Sequence, residues 1–179
     1  MKKIFIILCI FWILFIAYNT SQTGESSNNI SVSITEGIIN KTKSIINNKI
    51  NNSENSIIIR NDGEFIKKLN KYIRKFAHGF EFLVLALIIF FTLKFFNVKS
   101  MDCIIYTLFI VLLYAVIDEY RQLYIPGRNS NVRDIVIDFI GGIGGVIVSQ
   151  FLIGLKKIIL FYLQKYNNYK KIKGNNLKK

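Results

Sequence analysis

The sequence has few of the residues that build metal centres and disulfide frameworks. It contains two cysteines, Cys9 and Cys103, and a single histidine, His78, in 179 residues. Neither cysteine has a partner at the spacing of a metal ligand or of a disulfide framework, and no HExxH pattern is present. These absences argue against a zinc site of the usual spacing and against a disulfide-stabilised fold.

Acidic residues are also scarce, since 11 Asp and Glu stand against 24 Lys and Arg, which gives a net charge of +13. The chain is nevertheless 51% hydrophobic and 14% aromatic. A soluble domain seldom combines these values, so the apolar and the basic residues must be segregated along the chain.

Four apolar stretches stand out, and they cover residues 4–18, 80–96, 103–117 and 135–155. A helix needs about 20 residues to cross about 30 Å of hydrocarbon, so the first and third stretches require flanking residues to span a bilayer. For the third stretch we expect residues 118–123 to be sheltered inside a bundle. The first could instead be a signal peptide, but no small-x-small cleavage site lies near residues 18–22. We therefore interpret residues 1–18 as the first transmembrane helix.

The flanking charges predict the orientation, because Lys and Arg in short flanks stay on the cytoplasmic side. Lys2 and Lys3 precede the first span, Lys94 and Lys99 flank the second connection, and residues 156–179 carry eight lysines. The sequence therefore predicts a multi-pass membrane protein with four crossings, both termini in the cytoplasm and a basic cytoplasmic tail over residues 156–179.

This orientation leaves residues 19–76 as an extracellular loop. Its opening, NTSQTGESSNNIS, is rich in Ser and Asn and predicts a loop. Two amphipathic helices follow, the first marked by Ile34, Ile38, Ile45, Ile46 and Ile50, and the second by Ile66, Leu69, Ile73, Phe76 and Phe80 opposite Lys67, Lys71, Arg74, Lys75 and His78.

We expect the second of these helices, residues 63–76 with Asp62 as N-cap, to lie on the outer leaflet and run into the second span. A solvated charged helix face explains its pattern equally well. The predicted fold class is accordingly all-α: an integral membrane four-helix bundle with an extracellular interfacial segment.

Ionisable residues gather at one membrane level under this topology. They are His78 and Glu81 in the second span, Asp118, Glu119, Arg121 and Gln122 at the end of the third, and Asp134 and Asp138 at the start of the fourth. Helical spacing puts Arg74, His78 and Glu81 on one stripe, and Asp134 and Asp138 on a stripe with Gly141 and Gly145. The GxxxG spacing suits close helix contact, so the acids should face the bundle interior.

Such groups cost roughly 2.5–3.5 kcal/mol each in a membrane, so we expect them to pair. Arg128 and Arg133 could neutralise Asp118, Glu119 or Asp134 through forked hydrogen bonds. Pro126 and Gly127 predict a tight turn that brings Arg128 back over the acids.

Three readings of this cluster remain open. It can be a buried ion-pair network that specifies helix assembly. It can be an outward-facing pocket that binds a phosphate, sugar or peptide headgroup, with Lys75, Gln122, Arg128, Asp134 and Asp138 as ligand-binding residues. It can be a catalytic site, with candidates His78, Glu81, Asp118 and Glu119. A metal site built from His78, Glu81, Asp118 and Asp138 lacks a dense ligand spacing, and we predict no metal and no cofactor.

The chain resembles the VanZ-like membrane proteins in RKFAHGFEFLVLAL at 74–87, DEYRQLYIPGR at 118–128 and RDIVIDFIGGIGG at 133–145. The resemblance also includes the first span and its Ser/Asn-rich continuation. The family pattern carries over onto Lys75, His78, Glu81, Asp118, Glu119, Gln122, Pro126, Gly127, Arg128, Asp134, Asp138 and Gly141. Phe82 is a departure, since the resemblance leads us to expect tyrosine there.

The resemblance implies a VanZ-like core with three transmembrane helices over residues 77–155 and a place in the bacterial cell membrane. It further implies a cell-envelope function, since the family's founding member is associated with resistance to teicoplanin, a lipoglycopeptide. The expected partners are membrane lipids and a cell-wall precursor or lipoglycopeptide, and no nucleic acid. A membrane enzyme that modifies a lipid headgroup and a structural partner subunit are the alternatives.

Overall fold

The computed structural model describes residues 2–22, 31–37, 40–41, 44, 63–128 and 130–176. All regular structure in these residues is helical. The four long helices are α1 (Lys2–Ser21), α2 (Gly63–Phe95), α3 (Ser100–Gln122) and α4 (Val132–Asn176). Each contains a stretch long and apolar enough to cross a membrane. The prediction of an all-α membrane protein with four spans is confirmed.

Helix α1 is longer than its apolar stretch. The loop that the sequence predicts from Asn19 begins only after Ser21, because two hydroxyls bond within the last turn. Thr20 Oγ1 donates to the carbonyl of Ile16 at 3.0 Å, and Ser21 Oγ donates to the carbonyl of Ala17 at 2.6 Å. Polar residues that satisfy themselves on the preceding turn can continue a helix.

Helix α2 joins the predicted amphipathic helix over residues 63–76 to the second span in one helix. Leu69 and Ile73 are half-buried, whereas Phe76 and Phe80 are exposed. Its position on the outer leaflet stays a prediction. Of the other predicted amphipathic helix only Ile34 is described; its remaining isoleucines and the predicted cap Asp62 lie outside the described residues.

Helix α4 includes most of the predicted basic tail, since it runs to Asn176 without interruption. Its 45 residues correspond to about 68 Å at 1.5 Å per residue, more than twice the hydrocarbon thickness of about 30 Å. The helix therefore extends well beyond one membrane crossing, and the cytoplasmic side of that extension stays a prediction.

Helix α2 lies at the centre of the bundle and packs against α1, α3 and α4. The core consists of Phe82, Leu85, Ala86 and Ile89 of α2 with Ile16, Val111 and Ala115 of its neighbours. Trp12 Nε1 donates to the carbonyl of Glu81 at 3.0 Å, and Tyr114 OH donates to the carbonyl of Ile13 at 2.7 Å. Within the described residues α1 does not pack against α4.

Outside this core the large apolar side chains are exposed, and Ile7, Phe109 and Ile147 are each about two-thirds exposed. A helix surface this apolar is expected of a protein whose surroundings are lipid rather than water.

The closest helix contact depends on two glycines of α4. A Cβ at Gly141 would lie 2.0 Å from the carbonyl oxygen of Gly79, and one at Gly145 would lie 2.4 Å from that of Leu83. Neither position can hold a larger residue without moving the backbone of α2. This GxxxG face therefore packs against α2 of the same chain.

The connection from α3 to α4 is the predicted tight turn. Gly127 has φ of 76°, which favours glycine, and the Arg128 amide donates to the carbonyl of Ile125 at 3.2 Å. Asn131 then caps α4, since its Oδ1 accepts a hydrogen bond from the Arg133 amide at 3.0 Å.

Candidate functional site

The C-terminal turn of α1 is held by side chains of α3. Thr20 Oγ1 donates to Asp118 Oδ1 at 2.7 Å. Arg121 Nη2 donates to the carbonyl of Ala17 at 3.3 Å and to Ser21 Oγ at 2.9 Å, while its Nη1 lies 3.5 Å from Asp118 Oδ1. The last carbonyls of a helix lack partners within the helix, and a cation there is favourable. Arg121 supplies both a hydrogen-bond donor and a positive charge at this end of α1.

Arg128 completes this arrangement from the turn. Its Nε donates to the carbonyl of Gln22 at 3.0 Å, its Nη2 to that of Asn19 at 3.2 Å and its Nη1 to Gln122 Oε1 at 3.3 Å. Burial lowers the pKa of the Arg128 guanidinium below its ordinary value, and nearby Arg74 adds to this effect. We name Thr20, Asp118, Arg121, Gln122 and Arg128 the α1 clamp.

The sequence predicted forked hydrogen bonds from Arg128 and Arg133 to the acids, and this is wrong. The guanidinium of Arg128 bonds two backbone carbonyls and a glutamine instead. Arg133 is exposed and makes no ion pair within the described part of the chain. The turn at Gly127 brings Arg128 to the unpartnered end of α1, and those carbonyls take its hydrogen bonds.

Asp118 is fully buried and both of its oxygens have donors. Oδ1 accepts the Thr20 hydroxyl, and Oδ2 accepts Gln122 Nε2 at 3.3 Å. Asp118 therefore differs from Glu81 and Glu119, because its side-chain oxygens both have donors and one of these bonds joins α3 to α1.

Two adjoining cavities lie beside the clamp, of about 130 Å³ and about 220 Å³. Arg74, His78 and Arg128 line both, and we name the two together the polar chamber. The first cavity also has Lys75, Glu119, Gln122, Asp134 and Asp138 in its wall, and the second has Asn19, Gln22, Ile34 and Glu81. The chamber therefore brings together residues of α1, α2, α3, α4 and the turn.

Three acids of the chamber keep an oxygen without a hydrogen-bond partner among the described residues. They are Glu81 at Oε2, Glu119 at Oε2 and Asp138 at Oδ1. The other oxygen of Glu81 accepts Asn19 Nδ2 at 2.7 Å, and that of Glu119 accepts the amide of Asn131 at 2.5 Å. A buried polar atom without a partner costs about 1–3 kcal/mol, so each of these oxygens is available to a donor.

The basic residues of the chamber also differ in whether they have a partner. Lys75 donates to Asp134 Oδ1 and forms an ion pair with it. Arg74 is exposed at the wall shared by both cavities and forms no ion pair within the described residues. His78 Nδ1 lies 3.8 Å from Glu81 Oε2, beyond hydrogen-bond distance.

The first cavity is electrically mixed, because three cationic residues stand opposite three acids: Arg74, Lys75 and Arg128 against Glu119, Asp134 and Asp138. Such a wall suits a ligand that carries both an anionic group and hydrogen-bond donors. Among the described residues no three His, Cys, Asp or Glu side chains are arranged to hold a metal ion.

The model of the VanZ/LLP1 family matches residues 5–153. The chain belongs to the VanZ/LLP1 family. Neither the curated proteins nor the solved structures contain a match to it. The matched residues include the α1 clamp, the polar chamber and both packing glycines of this VanZ/LLP1 protein, and they end within α4 before its lysine-rich extension.

Most of the residues singled out from the sequence meet at the chamber. The exceptions have structural roles: Asp118 belongs to the clamp, Pro126 lies in the turn, and Gly141 and Gly145 pack on α2. Gly127 forms the turn and also lines the first cavity. Phe82, the departure from the family pattern, is fully buried with its ring 5.8 Å from that of Tyr114. It therefore contributes to packing of this VanZ/LLP1 core and lines neither cavity.

The sequence did not indicate the part that α1 plays. Asn19, Thr20 and Gln22 reach the clamp or the chamber across 62 to 109 positions of sequence. The available signal was the polar run NTSQ directly after an apolar span, at the membrane level of the acids. Asn131 was also missed, although an Asn one residue before a helix is a known cap.

Proposed function

We propose that this VanZ/LLP1 protein binds the polar headgroup of an envelope lipid or lipid-linked cell-wall precursor in the polar chamber, on the outer side of the cell membrane. The observation that carries the proposal is the set of unpartnered groups in one chamber wall. Arg74 has no ion pair, and Glu119 Oε2 and Asp138 Oδ1 have no donor, among the described residues.

The chemistry of these groups indicates the class of headgroup. Arg74 presents a fork of N–H donors that matches a phosphate or carboxylate. The free oxygens of Glu119 and Asp138 accept hydrogen bonds from hydroxyl or amino groups. A phosphate that bears a sugar, an amine or a glycerol satisfies both sides at once, whereas a purely anionic ligand would leave the two acids without donors.

Tolerance of teicoplanin follows from this proposal in either of two ways. The chamber can bind the lipoglycopeptide itself, or it can bind the precursor that the antibiotic attacks. The family relationship supports a role at the cell envelope, and the mixed charge of the chamber supports both ligands.

The test uses a teicoplanin-susceptible bacterium that expresses the protein. We expect Arg74→Ala to abolish the added tolerance while its amount in the membrane stays unchanged, because Arg74 holds no helix in place. Arg133→Ala is the matched control, since Arg133 is an exposed arginine outside the chamber. Full tolerance with Arg74→Ala would contradict the proposal.

The orientation of the chamber has its own test. Cysteines are placed at Arg133, beside the chamber, and at Lys99, between α2 and α3, and intact cells are treated with a membrane-impermeant maleimide. We expect labelling at position 133 and none at position 99, with both labelled after lysis. The unaltered protein measures the background from Cys9 and Cys103. Labelling of intact cells at position 99 alone would reverse the proposed topology.

A headgroup-modifying enzyme is the second candidate function. It is favoured by His78, which lines both cavities and has its Nδ1 3.8 Å from Glu81 Oε2, so a small shift would form an acid–base pair. Mass spectrometry of lipids and wall precursors should then show a product in molar excess over the protein, absent with His78→Gln. An unchanged profile leaves binding as the function.

A further inference from the structure

A third cavity, which we name the basic groove, lies at the other end of the bundle. It encloses about 610 Å³, more than the two cavities of the polar chamber together. Phe5 and Leu8 of α1 form one wall, Ile153 and Leu160 of α4 form the other, and α2 forms the floor. The space exists because α1 and α4 both pack on α2 and, within the described residues, not on each other.

The groove is separated from the polar chamber along the helices. On α4 the chamber ends at Asp138 and the groove begins at Ile153, which is about 22 Å at 1.5 Å per residue. All the residues that line the groove lie within three of the four candidate membrane spans, those of α1, α2 and α4. It is therefore a site at the opposite membrane level and not an extension of the chamber.

Three lysines line this groove, and no acid does: Lys94, Lys156 and Lys157. Lys94 is held in place, since its Nζ donates to Ser100 Oγ at 2.6 Å and to the carbonyl of Val98 at 3.3 Å. Lys156 and Lys157 are exposed and form no ion pair in the part of the chain that the structure describes. The remaining lining is aliphatic and aromatic.

We infer that this basic groove binds an anionic phospholipid of the surrounding bilayer, with its phosphate at Lys156 and Lys157 and an acyl chain between α1 and α4. The charge pattern carries the inference. The apolar walls complement an acyl chain, and the lysines, which have no acid beside them in the groove, complement a negative headgroup. Basic pockets between transmembrane helices are known binding sites for such headgroups. The volume lies within the range of pockets that enclose a small ligand.

The two ends of the bundle thus differ in ligand class. The chamber presents acids as well as bases, whereas the groove presents bases alone beside apolar walls. This inference does not rest on the function proposed for the chamber, and each site can be disabled without altering the other.

The test uses the full chain in detergent and native mass spectrometry with phosphatidylglycerol or phosphatidylcholine of identical acyl chains. We expect the unaltered protein to prefer phosphatidylglycerol. Lys156→Gln/Lys157→Gln should reduce that preference about 10- to 30-fold, since each lysine near a headgroup contributes about one kcal/mol. Lys165→Gln/Lys170→Gln, which removes the same charge from the same helix outside the groove, should leave most of it.

Two results would overturn the inference. One is equal binding of the two lipids by the unaltered protein. The other is an equal loss in both double variants, which would assign the preference to the general charge of α4.

A cross-linking experiment on the unaltered protein avoids any effect of the substitutions on folding. Phosphatidylglycerol with a photoreactive acyl chain should form adducts at Leu8, Ile88 and Ile153 in the groove. Ile105 and Phe109, which are exposed apolar residues of α3 outside it, are the control. Equal yields on α3 would contradict the inference, as would cross-links between copies of the chain through the groove, which would assign it to self-association.

Discussion

Asp118 in the α1 clamp and Asp138 in the polar chamber are both buried, but only one of them is fully partnered. Both oxygens of Asp118 accept hydrogen bonds, from Thr20 and Gln122, and Arg121 lies nearby. Asp138 keeps Oδ1 without a donor among the described residues. The difference teaches that burial alone does not identify a functional acid in a membrane bundle.

Hydrogen-bond partners distinguish the two regions, which share Gln122 and Arg128. Groups of the clamp bond carbonyls and side chains of α1, so their energy goes into holding that helix. Groups of the chamber keep part of their hydrogen-bonding capacity unused, which lowers stability and is retained where a ligand uses it. Substitutions of residues that belong to only one region should therefore differ: in the clamp they should lower stability, and in the chamber they should reduce ligand binding.

The largest loss of stability should follow from disrupting the close contact between α2 and α4, on which both regions depend. Gly141→Ala would place a Cβ 2.0 Å from the backbone of Gly79 and force α2 and α4 apart. We expect a loss of at least about 3 kcal/mol in the free energy of unfolding and little protein in the membrane. Gly154→Ala is the matched control, because nothing lies within 4 Å of that Cβ. Normal abundance of Gly141→Ala would refute the packing described here.

Arg128→Ala should rank next. It removes three hydrogen bonds, to the carbonyls of Asn19 and Gln22 and to Gln122. Because Arg128 is only half-buried and water can replace part of this bonding, the loss should match the contribution of one buried bond to a charged group, about 1.5–3 kcal/mol. We expect a loss of about 2–3 kcal/mol, measured as a lower midpoint of thermal unfolding in detergent, together with reduced abundance. Arg133→Ala should change neither. An unchanged midpoint for Arg128→Ala would remove Arg128 from the clamp.

Asp118→Asn should destabilise the protein less, by about 1–2 kcal/mol. The amide keeps an acceptor for Thr20 but places an NH₂ group toward Gln122 or Arg121. Thermal unfolding in detergent measures the loss, and ligand binding per folded molecule should be unaffected. A variant that unfolds normally but binds no ligand would move Asp118 into the chamber.

Asp138→Asn should have the smallest effect on stability, within about 0.5 kcal/mol or in the stabilising direction. The substitution removes a buried charge whose Oδ1 has no donor in the described structure. Teicoplanin tolerance should nevertheless fall to the level of cells without the protein. Destabilisation as large as that of Asp118→Asn would show that the two acids have the same role.

The fold was predictable from the sequence to a large extent because its signals are local. Hydropathy located all four spans, and helical spacing located the stripe of Asp134, Asp138, Gly141 and Gly145. The length of α4 was not predictable from hydropathy. Its lysines indicate that the chain leaves the membrane, but their charge does not indicate whether the chain outside the membrane is helical.

The sequence predicted which residues meet at the site but not which hydrogen bonds they make there. Membrane level and helical faces indicated that His78, Glu119 and Asp138 should meet. Which acid is satisfied depends on α1, and Asn19 and Thr20 carry no periodic signal that would aim them at Glu81 or Asp118. Similarly, Arg121 rather than Arg133 reaches Asp118 because it lies one turn away on the same helix, a choice that local charge alone leaves open.

Mass spectrometry of the molecules retained by the purified protein tests the central claim most directly, with unaltered protein, Asp138→Asn and Lys156→Gln/Lys157→Gln compared at equal folded amounts. The account predicts a phosphate-bearing headgroup ligand on the unaltered protein and on the lysine variant, and its absence from Asp138→Asn. Equal retention by Asp138→Asn, or no such ligand on any of the three, would contradict the claim that the polar chamber is a headgroup site.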